Sequence, residues 1–179
     1  MKKVFQGVCV VMILAISGCG TNEKKDDLLN YINNELSKII DIENAVIVGY
    51  DAVSGGNDMD DDEMYEALEK KIIPNSLKLI KLAETIMPKT RELRAIHEIY
   101  LEAINTQRQA LVMILSVFEK EDSSLVDQAN EKLADARKSA RDFLLELREY
   151  AKKNNVTIRY QKFDNERTAV GSDTCANKI

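Results

Sequence analysis

The sequence predicts an all-α fold, specifically an antiparallel up-down four-helix bundle of long helices. Four stretches repeat apolar residues at steps of three and four, which is the spacing of an amphipathic helix. The 179 residues include only seven glycines and two prolines, too few for the many tight turns of a β-sandwich. The stretches are each about 27–31 residues long and their connections are short, which favours antiparallel neighbours.

The first two stretches run from about residue 26 to 52 and from about residue 60 to 87. A glycine-rich turn, Ser-Gly-Gly-Asn-Asp, separates them. Pro74 lies inside the second stretch, where it removes one backbone hydrogen bond and its ring clashes with the preceding turn. We therefore expect a kink there or a split into two helices. The seam of the first stretch consists of Leu29, Ile32, Leu36, Ile39, Glu43, Val46, Tyr50 and Val53.

The third and fourth stretches run from about residue 88 to 118 and from about residue 124 to 154. Pro88 suits the first position of a helix, where its missing N–H costs nothing. Ser124 with Asp127 three residues later resembles a capping box for the fourth helix. These features predict a bundle over residues 26–155.

The first twenty residues have the three-part layout of an export signal. Lys2 and Lys3 precede an almost wholly apolar run, residues 4–16, and a small Ser-Gly pair leads directly into Cys19. The run is too short to cross a bilayer, which needs about 20 apolar residues. The ending resembles the bacterial lipobox, whose cysteine receives a diacylglyceryl group and becomes the new N-terminus. The resemblance implies that residues 1–18 are removed as a lipoprotein signal peptide.

A lipoprotein of this kind would be held to the cell membrane through its N-terminal lipid, on the extracytoplasmic face. Two or three acyl chains, such as palmitate, anchor firmly, because each buried CH₂ contributes roughly 0.8 kcal/mol. Residues 19–25 would be the lipidated N-terminus and a polar spacer, and residues 156–179 a flexible tail. The sequence leaves open whether the envelope includes an outer membrane. A buried apolar N-terminal helix is the alternative, but the flanking lysines and the polar residues after Cys19 argue against it.

Charge and cysteine content narrow the partners further. The net charge is −5, and an acidic surface repels phosphate backbones, so nucleic acid is not an expected partner. Of the three cysteines, Cys9 leaves with the signal peptide and Cys19 carries lipid. Cys175 alone cannot form an internal disulfide, and an inert thiol and an intermolecular disulfide both remain open.

An acidic segment at the start of the second stretch partly matches a calcium-binding loop. Asp58, Asp60, Asp62 and Glu69 fall at positions 1, 3, 5 and 12 of that template. The template needs glycine at position 6, and this chain has Glu63, which resists a positive φ. The four residues are therefore weak metal candidates, and an acidic first helical turn, with or without diffuse attraction of divalent ions, is the favoured interpretation.

Two polar residues, Glu43 and Gln107, occupy seam positions near the middle of their helices. Because buried polar groups cost free energy unless they are hydrogen-bonded, we expect a polar core layer that fixes helix register, with Arg137 or Arg141 as partner. A ligand pocket built on that layer is the alternative. His97, the single histidine, is expected to be partly buried or on the surface.

The sequence contains no nucleophile motif, phosphate-binding glycine loop or paired Glu-x-x-His motif. We therefore expect no catalytic residues, no enzymatic activity and no cofactor. The predicted function is a non-catalytic helical interaction module that binds another envelope or extracellular protein. The alternative is a ligand- or divalent-cation-binding lipoprotein that uses the acidic segment 58–69 or a mid-bundle pocket.

Overall fold

The computed structural model describes residues 23–54, 60–120 and 122–158. All secondary structure in these residues is helical, which confirms the all-α prediction. No helix within these ranges combines the length and apolar content needed to cross a membrane. The predicted signal peptide and several predicted residues lie outside the described part of the chain: Cys19, Asp58 and Cys175.

Six α-helices follow one another in the described residues, with three short π or 3₁₀ turns between or within them. In chain order the elements are α1 (Glu23–Asn30), the first π turn (Tyr31–Glu35), a 3₁₀ turn (Leu36–Lys38), α2 (Ile40–Ser54), α3 (Asp61–Ala67), the second π turn (Leu68–Ile72), α4 (Ile73–Ala83), α5 (Arg91–Lys120) and α6 (Ser124–Lys153).

The sequence predicted one continuous helix for the first amphipathic stretch, and this prediction is wrong, because two short turns divide the stretch. The amide of Leu36 donates to the carbonyl of Tyr31, five residues back, so the chain makes one wide π turn. Five residues advance an α-helix to nearly its opposite face, whereas a π turn returns close to the same face. Tyr31 and Leu36 are both almost fully buried as a result. The seam prediction nevertheless holds for Ile32, Ile39 and Val46, which are buried.

Pro74 does not split the second stretch, because residues 61–83 form consecutive helical turns. The second π turn comes directly before it, and the amide of Ile73 donates to the carbonyl of Leu68. The wider turn gives room to the proline ring, which would otherwise press on the carbonyl four residues back. The second stretch ends at Ala83, four residues before the predicted boundary.

Helices α5 and α6 form an antiparallel hairpin. At one end they are joined by residues 121–123, and at the other end the hydroxyls of Thr90 and Tyr150 lie 3.2 Å apart. Between these points the rings of Tyr100 and Phe143 are 5.2 Å apart. α4 packs against both α2 and α5, so the shorter helices cover one side of the hairpin.

The core has two parts. The larger part is built around Leu28, Tyr31, Leu93 and Phe143, and it includes Val156 after the end of α6. The smaller part joins α2, the second π turn and α5. It consists of Val46, Val53, Leu68, Ile72 and Leu111.

The ends of α5 and α6 differ in part from the sequence predictions. α5 begins at Arg91 rather than at Pro88, which is buried in the connection before it. At the start of α6, Asp122 replaces the predicted capping box, since its Oδ1 accepts from the amide of Ser124 at 3.0 Å and from its hydroxyl at 2.7 Å. α6 ends at Lys153, one residue before the predicted boundary.

Candidate functional site

A cavity of about 50 Å³ lies at mid-height between α2, α5 and α6. Three polar side chains line it, one from each helix: Glu43, Gln107 and Arg137. The structure therefore brings the two polar seam residues to one site, with one of the two arginines considered from the sequence. Arg141 is exposed and does not line this cavity. The remaining walls are apolar and are formed by Ile47, Ala103, Ile104, Leu133, Ala136, Ala140 and Phe143, with Tyr100 beside Glu43.

Glu43 is the most unusual residue of this cavity, because it is a carboxyl that is only 6% exposed. The hydroxyl of Tyr100 donates to its Oε1 at 3.1 Å. Burial raises the pKa of Glu43 to about 8, and the Tyr100 hydrogen bond only partly offsets this rise. Glu43 is therefore protonated at neutral pH, and its acidic proton can be donated to an acceptor in the cavity.

The size of the cavity decides between water and an organic ligand. A water molecule needs roughly 10–15 Å³ of such space, whereas a cavity that binds benzene measures about 150 Å³. At about 50 Å³ the cavity has room for a few water molecules bridging Glu43, Gln107 and Arg137, but not for an aromatic ring. In this conformation the site suits a hydrated polar layer better than a ligand pocket.

Next to the cavity, His97 joins three separate elements. Its Nε2 lies 3.0 Å from the carbonyl of Ala83 at the end of α4, and its Nδ1 lies 2.9 Å from the hydroxyl of Tyr31 in the first π turn. A carbonyl can only accept, so Nε2 carries the proton and Nδ1 accepts from Tyr31. Burial lowers the pKa of His97, which keeps the ring neutral. His97 is 3% exposed and both of its nitrogens are hydrogen-bonded, so its geometry supports a structural role.

Three of the weak metal candidates, Asp60, Asp62 and Glu69, lie in the described part of the chain, and they are spread along a helix rather than gathered around one point. Asp60 caps α3 by accepting from the amide of Glu63 at 2.8 Å, and Asp62 is exposed in the first turn of that helix. Glu69 accepts from the hydroxyl of Tyr65 at 3.4 Å. Within the described ranges, no three acidic, histidine or cysteine side chains are grouped so that they could hold a metal ion.

The sequence analysis did not single out Asp27, which lies next to the predicted start of the first amphipathic stretch at about residue 26. Its carboxylate is buried and accepts from the amides of Lys89 and Thr90, at 3.0 and 2.7 Å, and from the Thr90 hydroxyl at 2.8 Å. These bonds fix the backbone directly before α5, which explains why that helix starts at Arg91. The only local signal was an acidic residue beside buried Leu28, since its partners lie more than 60 residues away.

The two halves of α5 bury their residues differently. In the first half, exposed charged residues alternate with buried Leu93, Ile96 and Tyr100, as expected for an amphipathic helix. The second half reads Leu-Val-Met-Ile-Leu-Ser-Val-Phe over residues 111–118, and every residue from Val112 to Phe118 is half-buried. Seven consecutive residues cover nearly two turns, so this segment, the apolar end of α5, is incompletely covered on all sides.

An exposed apolar residue of α6 lies beside the apolar end of α5. The antiparallel pairing that sets Tyr100 beside Phe143 sets Val117 at the level of Val126, which is 42% exposed. The surrounding surface is acidic, because residues 60–71 carry six acidic and only two basic side chains. An apolar surface with a charged rim is typical of a protein-binding site.

The fold and these sites define a class, a small all-helical domain with a mainly apolar cavity at its middle, into which a few polar side chains project, and an apolar surface at one end. No protein-family model matches the chain, and neither the curated proteins nor the solved structures contain one that matches it.

Proposed function

We propose that this protein is a lipoprotein anchored to the extracytoplasmic face of the cell membrane through Cys19, and that its helical domain is a non-catalytic module that binds another envelope or extracellular protein. The anchor is supported by the lipobox-type ending of residues 1–20. A tethered domain of this kind needs no helix that spans the bilayer.

The observation that carries the binding role is the apolar end of α5. The half-buried apolar side chains of this segment and exposed Val126, at the same height on α6, together form an apolar surface patch. Such a patch is costly in water unless a partner covers it. The patch lies about 40 Å along α5 from the end of the domain where the chain enters α1. A module tethered at its N-terminus would therefore present this patch away from its anchor, toward a protein partner.

Photo-crosslinking in intact cells tests the binding role. A benzoylphenylalanine in place of Val126 should form a position-specific adduct with one other protein, because Val126 is exposed beside the apolar end of α5. The same probe in place of Leu145 is the matched control, since Leu145 is an exposed apolar residue elsewhere on α6. Adducts of equal strength at both positions, or an adduct only with a second copy of this chain, would contradict the proposal.

We also propose that the domain approximates an antiparallel up-down four-helix bundle with a flexible tail. The two long helices form an antiparallel hairpin, and α4 packs against α2 and α5. α1 with α2, and α3 with α4, would then act as the first and second helices. Limited proteolysis that cuts within residues 159–179 and leaves residues 23–158 intact is the result expected from this arrangement.

Ligand binding at the mid-height cavity is the second candidate. It is favoured by the convergence of Glu43, Gln107 and Arg137 on one apolar-walled site. Such a ligand would have to be very small or would have to widen the cavity. A thermal-shift screen with short alcohols, amines and carboxylic acids tests it, with Ala136→Leu as the variant that fills the cavity. A shift that survives this substitution would place the ligand elsewhere.

A further inference from the structure

The start of α1, the connection between α4 and α5, and the last turn of α6 meet at one end of the molecule, here called the proximal end. Asp27 of α1 binds the Thr90 backbone, and the Thr90 hydroxyl contacts that of Tyr150. Lys24 also forms an ion pair with Glu92 of α5. The chain therefore enters the domain at the same end where α6 finishes.

The connection before α5 presents one large apolar side chain to solvent at this end. Its residues alternate, so that Ile86 and Pro88 are buried whereas Met87 and Lys89 are exposed. Met87 is 78% exposed, more than any other large apolar residue in the described part of the chain. Asp27 accepts hydrogen bonds from the amides of Lys89 and Thr90, so the backbone next to Met87 is held in place with the Met87 side chain exposed.

Charge is divided between the two ends of the molecule. At the proximal end, residues 81–91 and residues 148–158 each carry three basic side chains and one acidic side chain. Residues 23–27 and Glu92 at the same end add two basic and four acidic side chains. At the opposite end, residues 60–71 carry six acidic and two basic side chains. Residues 119, 120 and 122–131 there add four acidic and one basic side chain. The net negative charge of the described residues is thus concentrated at the end farther from the start of α1.

The length of chain before α1 limits how far the proximal end can lie from a membrane anchor. Glu23, the first residue of α1, follows Cys19 by four positions. Four residues span at most about 14 Å when fully extended. A lipid on Cys19 therefore holds the start of α1 close to the headgroups.

We propose that the proximal end is a membrane-docking surface, which seats the domain on a bilayer of anionic phospholipid with Met87 in the interfacial layer and Lys89, Lys152 and Lys153 against the headgroups. The charge division supports this orientation. A negative membrane surface attracts the proximal end, where basic side chains are in small excess, and repels the acidic opposite end. This inference rests on the proposed anchor at Cys19, and it adds a fixed orientation to that anchor.

A depth measurement on the lipidated full-length protein tests the docking. An environment-sensitive fluorophore is attached to Met87→Cys in a Cys175→Ser background, and the protein is reconstituted in phosphatidylcholine vesicles with or without phosphatidylglycerol. Val48→Cys is the matched control, because Val48 is an exposed apolar residue (66%) on α2. We expect the fluorophore at position 87, but not the one at position 48, to show a blue-shifted emission and quenching by headgroup-labelled lipid. The quenching at position 87 should increase at least about twofold when phosphatidylglycerol is present.

Charge reversal provides the second arm. The triple substitution Lys89→Glu, Lys152→Glu and Lys153→Glu should abolish the dependence on phosphatidylglycerol. The control triple, Lys70→Glu, Lys71→Glu and Lys120→Glu, changes the net charge equally at the acidic end and should leave the quenching unchanged. An equal effect of both triples would overturn the docking surface, since it would reflect net charge alone.

The outcomes separate the docking from the anchor. A protein that floats with the vesicles but shows equal quenching at positions 87 and 48 is anchored without a fixed orientation, which overturns the docking alone. A blue shift at position 87 without quenching by labelled lipid would assign the surface to a second protein copy. A protein that does not float, with an unmodified Cys19 by intact mass, would contradict the anchor and the docking together.

Discussion

Glu43 shows how one buried carboxyl can set the pH dependence of the whole domain. Its pKa is about 8 in the folded chain, against an ordinary value of 4.5. Between these two values the folded state binds one more proton than the unfolded state, so stability falls as pH rises. Below pH 4.5 both states are protonated and the contribution is fully present. His97 acts in the opposite direction, because its lowered pKa removes stability as pH falls below 6.5.

Replacing Glu43 with glutamine should flatten this pH dependence. Glutamine keeps an acceptor for the Tyr100 hydroxyl and has nearly the same shape, but it does not ionise. We expect the unfolding free energies of Glu43→Gln and wild type to be similar at pH 4.5, and the variant to be about 3 kcal/mol more stable at pH 7. Urea denaturation across this range measures the difference. A constant offset between the two proteins at every pH would contradict the proposed origin.

Asp27 should contribute far more to stability than its exposed neighbour. Asp27→Ala removes a buried acceptor and leaves the amide of Thr90 without its partner. We expect a loss of about 2–4 kcal/mol in the free energy of unfolding, whereas Asp26→Ala should change it by less than about 0.5 kcal/mol. Chemical denaturation of the two variants provides the measurement. Equal effects would mean that the hydrogen bonds of Asp27 do not hold the start of α5.

At the level of elements, the sequence predicted helical structure in all four amphipathic stretches and the burial of most of the first seam, because apolar spacing is a local signal. It could not predict the two π turns. The first depends on a core that accepts both Tyr31 and Leu36, and the second depends on the position of the Pro74 ring. The start of α5 was misplaced for a similar reason, since its partner Asp27 lies on another helix.

The C-terminus of α6 is closed by a motif that a single residue controls. Asn155 has a φ of 54°, and the amide of Val156 reaches back to the carbonyl of Ala151 at 2.9 Å, as in a Schellman motif. Glycine adopts this conformation without steric cost, and alanine does not. We therefore expect Asn155→Gly to keep or slightly raise the melting temperature, and Asn155→Ala to destabilise by about 1 kcal/mol. Calorimetry of both variants tests the prediction, and a more stable alanine variant would contradict it.

For the whole molecule, sequence and structure were informative about different features. Glu43 and Gln107 could be singled out because polar residues interrupt an apolar seam, and the structure places both on one cavity with Arg137. Three other features could not be predicted from the sequence: the hydrogen bonds of His97, the exposure of Met87, and the separation of charge between the two ends. Each depends on which segments meet in space. The contacts that bring the segments of the proximal end together join residues far apart along the chain, such as Lys24 with Glu92 and Thr90 with Tyr150.

The central claim is that lipid on Cys19 tethers this domain, and mass spectrometry of the mature protein tests it most directly. The account predicts an N-terminal peptide that begins at Cys19 and carries the mass of a diacylglyceryl group, together with an unprocessed and unlipidated Cys19→Ala variant. A mature protein that retains residues 1–18, or one whose Cys19 is a free thiol, would contradict the account.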